Sequence, residues 1–293
     1  MSPHLQHYIG CSGWSYSAWQ GPFYPLNLDN SKWLSYYSQV FDFVEIDSSF
    51  YRIPNVFMVK NWCKKTPAHF RFTAKLPKVI THEKRLKDVE KELELFFSSM
   101  IYLEDKILAL LIQLPPSMGI VEGMNGLRDI IPELDKRFRY AVEVRDSSWF
   151  QDLAYSFFEN NNMCMVWSQL AGIRTPPIVT TDFLYIRFIG DRTIQEKDFG
   201  KIQKDRVSEM KKWARFLKRA REEKQEKINL AIVAANNHYA GFGPGTANTF
   251  RKMLDLPEVT WNDIEVSKTE DIELLSDDNT KQSSLSDFLG SAK

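Results

Sequence analysis

FVEIDSSFYRIP, Phe43 to Pro54, reads as a short apolar strand that ends in two carboxylates, two serines and two aromatic rings. Side chains alternate along a strand, so Glu45 and Asp47 are expected to share one face while Val44 and Ile46 turn toward an apolar layer. A strand covered on both faces carries acids at its carboxyl end only when they are paired, hydrated or bound to a metal. The stretch therefore predicts a site at the strand's end. Its alternative is a pair of structural anchors bonded to neighbouring loops.

Outward from this stretch, short apolar runs alternate with amphipathic ones. Strands are expected at 8–13, 43–48, 70–76, 108–114, 140–146, 163–168, 184–189 and 229–235, with helices at 31–40, 56–65, 86–102, 123–134, 151–160, 205–223 and 246–254. The helix from Asp205 carries the plainest buried stripe, with Val207, Met210, Trp213, Phe216, Leu217 and Ala220 at helical spacing. Eight strands alternating with seven clear helices predict an α/β protein built as a TIM-type (β/α)8 barrel. A doubly wound open sheet is the competing architecture. The barrel is expected over residues 1–262, with a polar tail at 263–293 rich in acids, serines and threonines.

Composition narrows the function classes. The 293 residues hold 38 Lys and Arg against 38 Asp and Glu, so no global field draws the chain to nucleic acid or membrane. Cys11, Cys63 and Cys164 lack the spacing of a redox or zinc pair. The start, MSPHLQHYIG, has neither the basic opening nor the apolar run of a secretory signal, and no stretch approaches a membrane span. A cytoplasmic protein with no membrane partner is expected.

In a barrel the chemistry lies at the carboxyl ends of the strands. Those ends deliver Tyr16 after the first strand, Glu45, Asp47 and Tyr51 at the second, Lys75 at the third and Gln113 at the fourth. Glu143 and Arg145 follow at the fifth, Arg187 at the seventh, and Asn236, Asn237 and His238 at the eighth. Three cations on separate strands favour an anionic ligand, because Arg grips phosphate through parallel hydrogen bonds. GFGPGTAN, Gly241 to Asn248, places Gly243 and Gly245 before the last helix, where backbone donors favour a phosphate; a tight turn with a helix start is the other reading. Glu45, Asp47 and Glu143 form a candidate set for Mg²⁺ or Mn²⁺. A metal-free alternative uses Glu45 or Glu143 as general acid or base, with His238 assisting proton transfer. Five scattered histidines are too few for a multi-zinc site.

Seven segments carry a resemblance. GCSGWSYSAWQGPFYP, VEIDSSFYRIP, FTAKLPKVITH, LLIQLPPS, VEVRDSSWF, YIRFIGDR and NNHYAGFGPGTANTF, in that order, resemble the YecE-like domain-of-unknown-function family from Tyr8 to about Leu256. The resemblance implies a TIM-type barrel and brings no established reaction. Glu45, Asp47, Lys75, His82, Glu143, Arg145, Arg187, Asn237 and His238 match the family pattern best. Ala235 departs from it, standing where an aromatic often precedes the Asn-Asn-His run.

The tail holds a second resemblance. Gln282, Leu285, Phe288 and Leu289 are spaced like the box that binds the sliding clamp (PCNA) of replication and repair proteins, with Leu289 in place of the second aromatic. One tight turn would put Leu285 and Phe288 on one side as a plug for a hydrophobic pocket. The alternative is a short amphipathic turn docking on the barrel. The box implies an archaeal or eukaryotic-type replication system. The leading expectation is a clamp-tethered barrel acting on DNA, in which a phosphodiester is cleaved with the acids holding metal or activating water. A hydrolase or isomerase of a small phosphorylated or sugar-like compound, and a non-catalytic adaptor, are the alternatives. A closed rim pocket favours the small compound, and an open basic groove favours DNA.

Overall fold

The computed structural model describes residues 5–170, 172–223 and 228–261. The strands are β1 (Gln6–Ser12), β2 (Phe43–Ile46), β3 (Arg71–Lys75), β4 (Ile107–Gln113), β5 (Tyr140–Glu143), β6 (Met163–Met165), β7 (Trp167–Leu170), β8 (Ile173–Arg174), β9 (Phe183–Gly190) and β10 (Leu230–Ala235). The α-helices are α1 (Trp33–Val40), α2 (Val56–Lys64), α3 (Glu90–Met100), α4 (Ile120–Ile130), α5 (Asp152–Asn160), α6 (Val207–Glu223), α7 (Asn237–Ala240) and α8 (Gly243–Met253). The sheet runs β6-β5-β4-β3-β2-β1-β10-β9-β7-β8. Every pairing is parallel except the β7–β8 hairpin.

This is an α/β fold with a parallel sheet curled into at least a half barrel and flanked by helices. The curl follows from the parallel pairing of successive strands, each returned by a crossover and rotated by the sheet's twist. It brings β2 and β5 within reach of β9, and their inward side chains meet. Tyr8, Phe43, Ala109, Leu111, Ala141, Cys164, Val166, Phe183, Tyr185, Leu230 and Ile232 form one interior cluster. Above it, toward the carboxyl ends, the interior turns polar.

Strand positions agree with the sequence pattern closely, and the differences have local causes. β2 stops at Ile46, since Asp47 has left extended geometry at φ −86° and ψ −27° to start a short 3₁₀ turn over Ser48–Phe50. β5 stops at Glu143, so Arg145 lies beyond the ladder. The expected sixth strand is two, β6 pairing with β5 and β7 with β9. Helix α6 buries Met210, Trp213, Leu217 and Ala220 as its stripe predicts, whereas Val207 is exposed. Its basic residues form a solvated outer face, with Lys212 pairing to Glu209, Lys218 to Asp255 and Arg219 to Glu223. The tail with Gln282, Leu285, Phe288 and Leu289 lies outside the described residues.

Candidate functional site

Arg187 is the centre of the polar layer. It stands on β9, whose every residue is buried, two positions beyond Tyr185 and therefore on the same inward face. Its Nε donates to Glu45 Oε2 at 2.8 Å and its Nη2 to Glu45 Oε1 at 2.7 Å, a two-pronged grip across from β2. Nη1 donates to Glu143 Oε2 from β5. Arg187 is 1% exposed and both glutamates 0%.

Each glutamate has further donors. Ser12 Oγ donates to Glu45 Oε1 at 2.5 Å, and the Tyr185 hydroxyl donates to Oε2. Thr73 Oγ1 is 2.7 Å from that hydroxyl, so the chain of bonds runs Thr73 to Tyr185 to Glu45. Arg145 Nε donates to Glu143 Oε1 at 2.7 Å, and Arg145 Nη2 donates to Gln113 Oε1 at 2.8 Å. Burial alone would push both carboxyl groups up. For Glu45 the charges of Arg187 and Lys75 outweigh it, and for Glu143 those of Arg187, Arg145 and Lys75, so both stay below the ordinary value. Burial would likewise lower Arg187, but Glu143 and Glu45 hold it well above its ordinary value.

Over this layer opens a cavity of about 320 Å³ at the carboxyl ends of the strands. Lys75, Gln113, Arg145 and Arg187 form its floor, and Asp47, Tyr16, Tyr51, Asn236 and His238 are among its walls. Lys75 Nζ pairs with Asp47 Oδ1 and lies 4.0 Å from Glu45 Oε1 and 5.7 Å from the Phe50 ring centre. Phe50 also lines the cavity. Tyr16 donates to the Ser12 carbonyl at 2.8 Å, which fixes its ring at the rim, while Tyr51 is 66% exposed. Asn236 Oδ1 caps α7 by accepting from the His238 amide at 3.0 Å. His238 packs edge-on against Phe199, and burial, with the nearby charge of Arg192, lowers its pKa.

Three sequence-derived positions fall elsewhere. Asn237 is buried beneath the rim, its Oδ1 accepting from Trp19 Nε1 at 3.1 Å and from Gly243 N at 2.8 Å. Gly243 thus spends its amide inside the protein, and a Cβ there would lie 3.1 Å from Asn237 Oδ1, 3.2 Å from the Ala235 carbonyl and 3.2 Å from Cys11 Sγ. Gly245 packs on the Phe242 ring. These glycines serve close packing of α8 rather than the cavity. His82 is placed beside it, its Nδ1 2.8 Å from Thr81 Oγ1 and its ring edge-on to Phe50.

The expected metal set is not assembled. Glu45 and Glu143 are joined through Arg187, a guanidinium where a divalent ion would have to lie, and Asp47 faces Lys75. Among the described residues no group of three or more His, Cys, Asp and Glu side chains converges as metal ligands do. Alternation accounts for the inward faces of Glu45 and Glu143 but not for Asp47, which the 3₁₀ turn aims, and it does not reveal that a cation from β9 enters between the glutamates. Sequence reasoning also passed over Tyr185, Thr73, Arg192, Glu196 and Phe199. Tyr185 is signalled by its two-residue offset from Arg187; Arg192 and Glu196 lie past the strand end, where the period of two no longer applies.

Inward charges at the carboxyl ends of a curled parallel sheet, with a cavity above them, define an α/β protein with a polar pocket at that rim. The chain belongs to the family described as protein of unknown function DUF72, which matches residues 8–269. It is 30% identical over 143 residues to UPF0759 protein YecE of Escherichia coli strain K12, covering 49% of this chain and 50% of YecE. It is also 30% identical over 155 residues to UPF0759 protein YunF of Bacillus subtilis strain 168, covering 50% and 54%. The chain spans about half the length of the curated relatives it matches. A crystal structure of a DUF72 family protein from Thermotoga maritima superposes with a TM-score of 0.71 at 27% identity, covering 86% of this chain and 100% of that one. One from Enterococcus faecalis gives 0.69 at 23% identity, covering 87% and 100%, a likeness of fold alone. All four of these proteins are bacterial, so they lend nothing to the archaeal or eukaryotic-type clamp that the tail motif implies. Among the described residues no helix is long and apolar enough to cross a membrane.

Proposed function

We propose that the protein is an enzyme, a hydrolase or isomerase, acting on a small phosphorylated or sugar-like compound held at the carboxyl end of the sheet. The observation that carries this is the cavity. Its volume of about 320 Å³ is at the small end of ligand sites, and its walls mix donors, acceptors and aromatic faces. An extended basic groove, which DNA would require, is a different shape. In this reading Lys75 stabilises negative charge that develops on the substrate, with Asp47 holding its ammonium in place. His238, kept neutral near pH 7 by burial, accepts a proton. Glu45 and Glu143 orient Arg187 and do not carry protons, since every carboxylate oxygen is already bonded.

We also read the sheet as the complete TIM-type barrel. Its support is that β6 and β7, paired to opposite ends of the strand order, are separated by Val166 alone, and that Val166 N donates to the Val142 carbonyl at 3.0 Å. The test of function is incubation of the full chain with a panel of aldose and ketose phosphates, followed by NMR of the products. Turnover of at least one compound, lost in Lys75→Met and His238→Asn variants that remain folded, is the expected result. Neither binding nor turnover of any member would overturn it.

A second reading rests on the tail: Gln282, Leu285, Phe288 and Leu289 tether the protein to a sliding clamp near DNA. A peptide of the last residues should then bind the ring, and Phe288→Ala should abolish that binding. Cleavage of nicked and branched DNA with Mg²⁺ or Mn²⁺ in place of small-molecule turnover would transfer the active-site assignment to DNA.

A further inference from the structure

The ion pairs of the polar layer compensate most of the cations that face the cavity. Lys75 is matched by Asp47, Arg145 by Glu143, and Arg187 by both buried glutamates. Arg192 is different. It lines the same cavity, it is exposed, and among the described residues its side chain makes neither an ion pair nor a hydrogen bond. Glu196 is its counterpart, a lining carboxylate that among the described residues pairs with no cation.

The chain places Arg192 at some energetic cost. Its φ of 57° lies in the left-handed region, where a residue with a Cβ is disfavoured unless its surroundings over-determine it. The surroundings do so from both sides. Asp191 accepts from Lys204 Nζ at 2.7 Å (Oδ1) and 2.6 Å (Oδ2), from Thr193 Oγ1 at 2.8 Å, and from Arg206 Nη2 at 3.3 Å. On the other side Gly190, at φ 81°, lies so close to α7 that a Cβ would come within 2.3 Å of the His238 carbonyl oxygen. A turn pinned this firmly carries an uncompensated guanidinium over a ligand-sized cavity. Neutralised groups below it supply hydrogen bonds without net charge.

We propose that Arg192 selects an oxyanion on the ligand, a phosphate monoester or a carboxylate, by the fork of its guanidinium, and that Glu196 accepts from the same ligand's hydroxyls. This rests on the small-ligand reading above and narrows its substrate class to hydroxylated anions. It also moves anion recognition from Lys75, Arg145 and Arg187, where the sequence pattern put it, to a residue on the rim.

The experiment is isothermal titration calorimetry of the full chain with inorganic phosphate and with matched sets of pentoses and hexoses: the sugar, its aldonate and its terminal phosphate. Wild type is expected to bind phosphate and at least one anion more tightly than the matching neutral sugar. Arg192→Asn, which tolerates the left-handed backbone, should weaken the anions at least tenfold and leave the neutral sugar unchanged. Arg192→Gly should do the same without lowering the melting temperature, since the backbone is relieved. If the anion is bound equally by wild type and Arg192→Asn but lost in Lys75→Met, the assignment to Arg192 is overturned and the small-ligand site stands. If no member of the sets binds wild type, both fall. Tighter binding of the aldonate than of the phosphate identifies the oxyanion as a carboxylate, and the reverse order as a phosphate.

Discussion

Arg187 lies between Glu45 and Glu143 and hydrogen-bonds to both, so two buried carboxylates from opposite parts of the sheet are held by one guanidinium. An isolated charge at this depth would be expensive, and the triad is tolerated because its Coulomb and hydrogen-bond terms are all satisfied at once. The sheet's curl brings these groups together, and their bonds in turn link β2, β5 and β9.

Removing the central cation leaves two uncompensated buried acids. Arg187→Met is expected to destabilise the fold by about 3–5 kcal/mol, the usual cost of breaking a buried pair from one side. Adding Glu45→Gln and Glu143→Gln to that variant should restore part of the loss, a coupling that a mutant cycle in urea reads directly. A loss under about 1 kcal/mol for Arg187→Met would mean that the triad does not hold the strands.

Acid should weaken the fold in two stages, both in the same direction. Burial lowers the pKa values of His7, His82 and His238 below the ordinary 6.5, so the unfolded chain takes up protons first and stability falls as pH drops below 6.5. Glu45 and Glu143 have pKa values below the ordinary 4.5, so the stability they contribute is fully present above 4.5 and is lost as pH falls through their folded values. Urea midpoints at about pH 7.5, 5.5 and 4 should decrease in that order. His82→Asn should reduce the first stage by that histidine's share and leave the second; a midpoint that rises between the first two pH values would contradict the sign.

Gly190→Ala should lower the melting temperature by several degrees. A side chain at φ 81° costs about 1–3 kcal/mol by itself. Here the new methyl would also meet the His238 carbonyl at 2.3 Å, and backbone at that distance must move. Because the same contact fixes the turn that carries Arg192, a calorimetric titration of the variant should show weaker anion binding as well. Unchanged melting would indicate that the turn is looser than its contacts imply.

Much of this arrangement was legible in the sequence, for particular reasons. Val44 and Ile46 against Glu45 gave the face of β2, and the apolar runs from Tyr8 to Ala235 gave the strand order's raw material, because a period of two in short buried strands leaves few other readings. Inward placement of Glu45, Lys75, Gln113, Glu143 and Arg187 followed from the same period. Their pairing did not, since whether a carboxylate faces a metal or a guanidinium depends on which strand lies across the curled sheet. GFGPGTAN stays open in the sequence for a related reason: glycines before a helix suit phosphate, but they suit the close approach of α8 to Cys11 and Asn237 equally well. Arg192 carried no periodic signal at all, being placed by a left-handed turn.

Asp47 separates structural from functional roles. Its side chain is 26% exposed and pairs with Lys75, whose ammonium also lies 4.0 Å from Glu45. In Asp47→Asn the buried lysine keeps that second carboxylate and an acceptor oxygen remains beside it, so the loss should be about 1 kcal/mol, well under the roughly 3–5 kcal/mol of stripping a buried charge of its partner. Lys75 would then be drawn toward the buried glutamate and away from the cavity. Affinity for any sugar phosphate that wild type binds, or turnover of it, should fall about tenfold or more, while the melting temperature stays within a degree or two. The paired measurement is calorimetric titration beside thermal unfolding. A variant that binds and turns over as wild type does would remove Asp47 and the position of Lys75 from the mechanism, and a variant that simply unfolds would show the pair to be part of the scaffold.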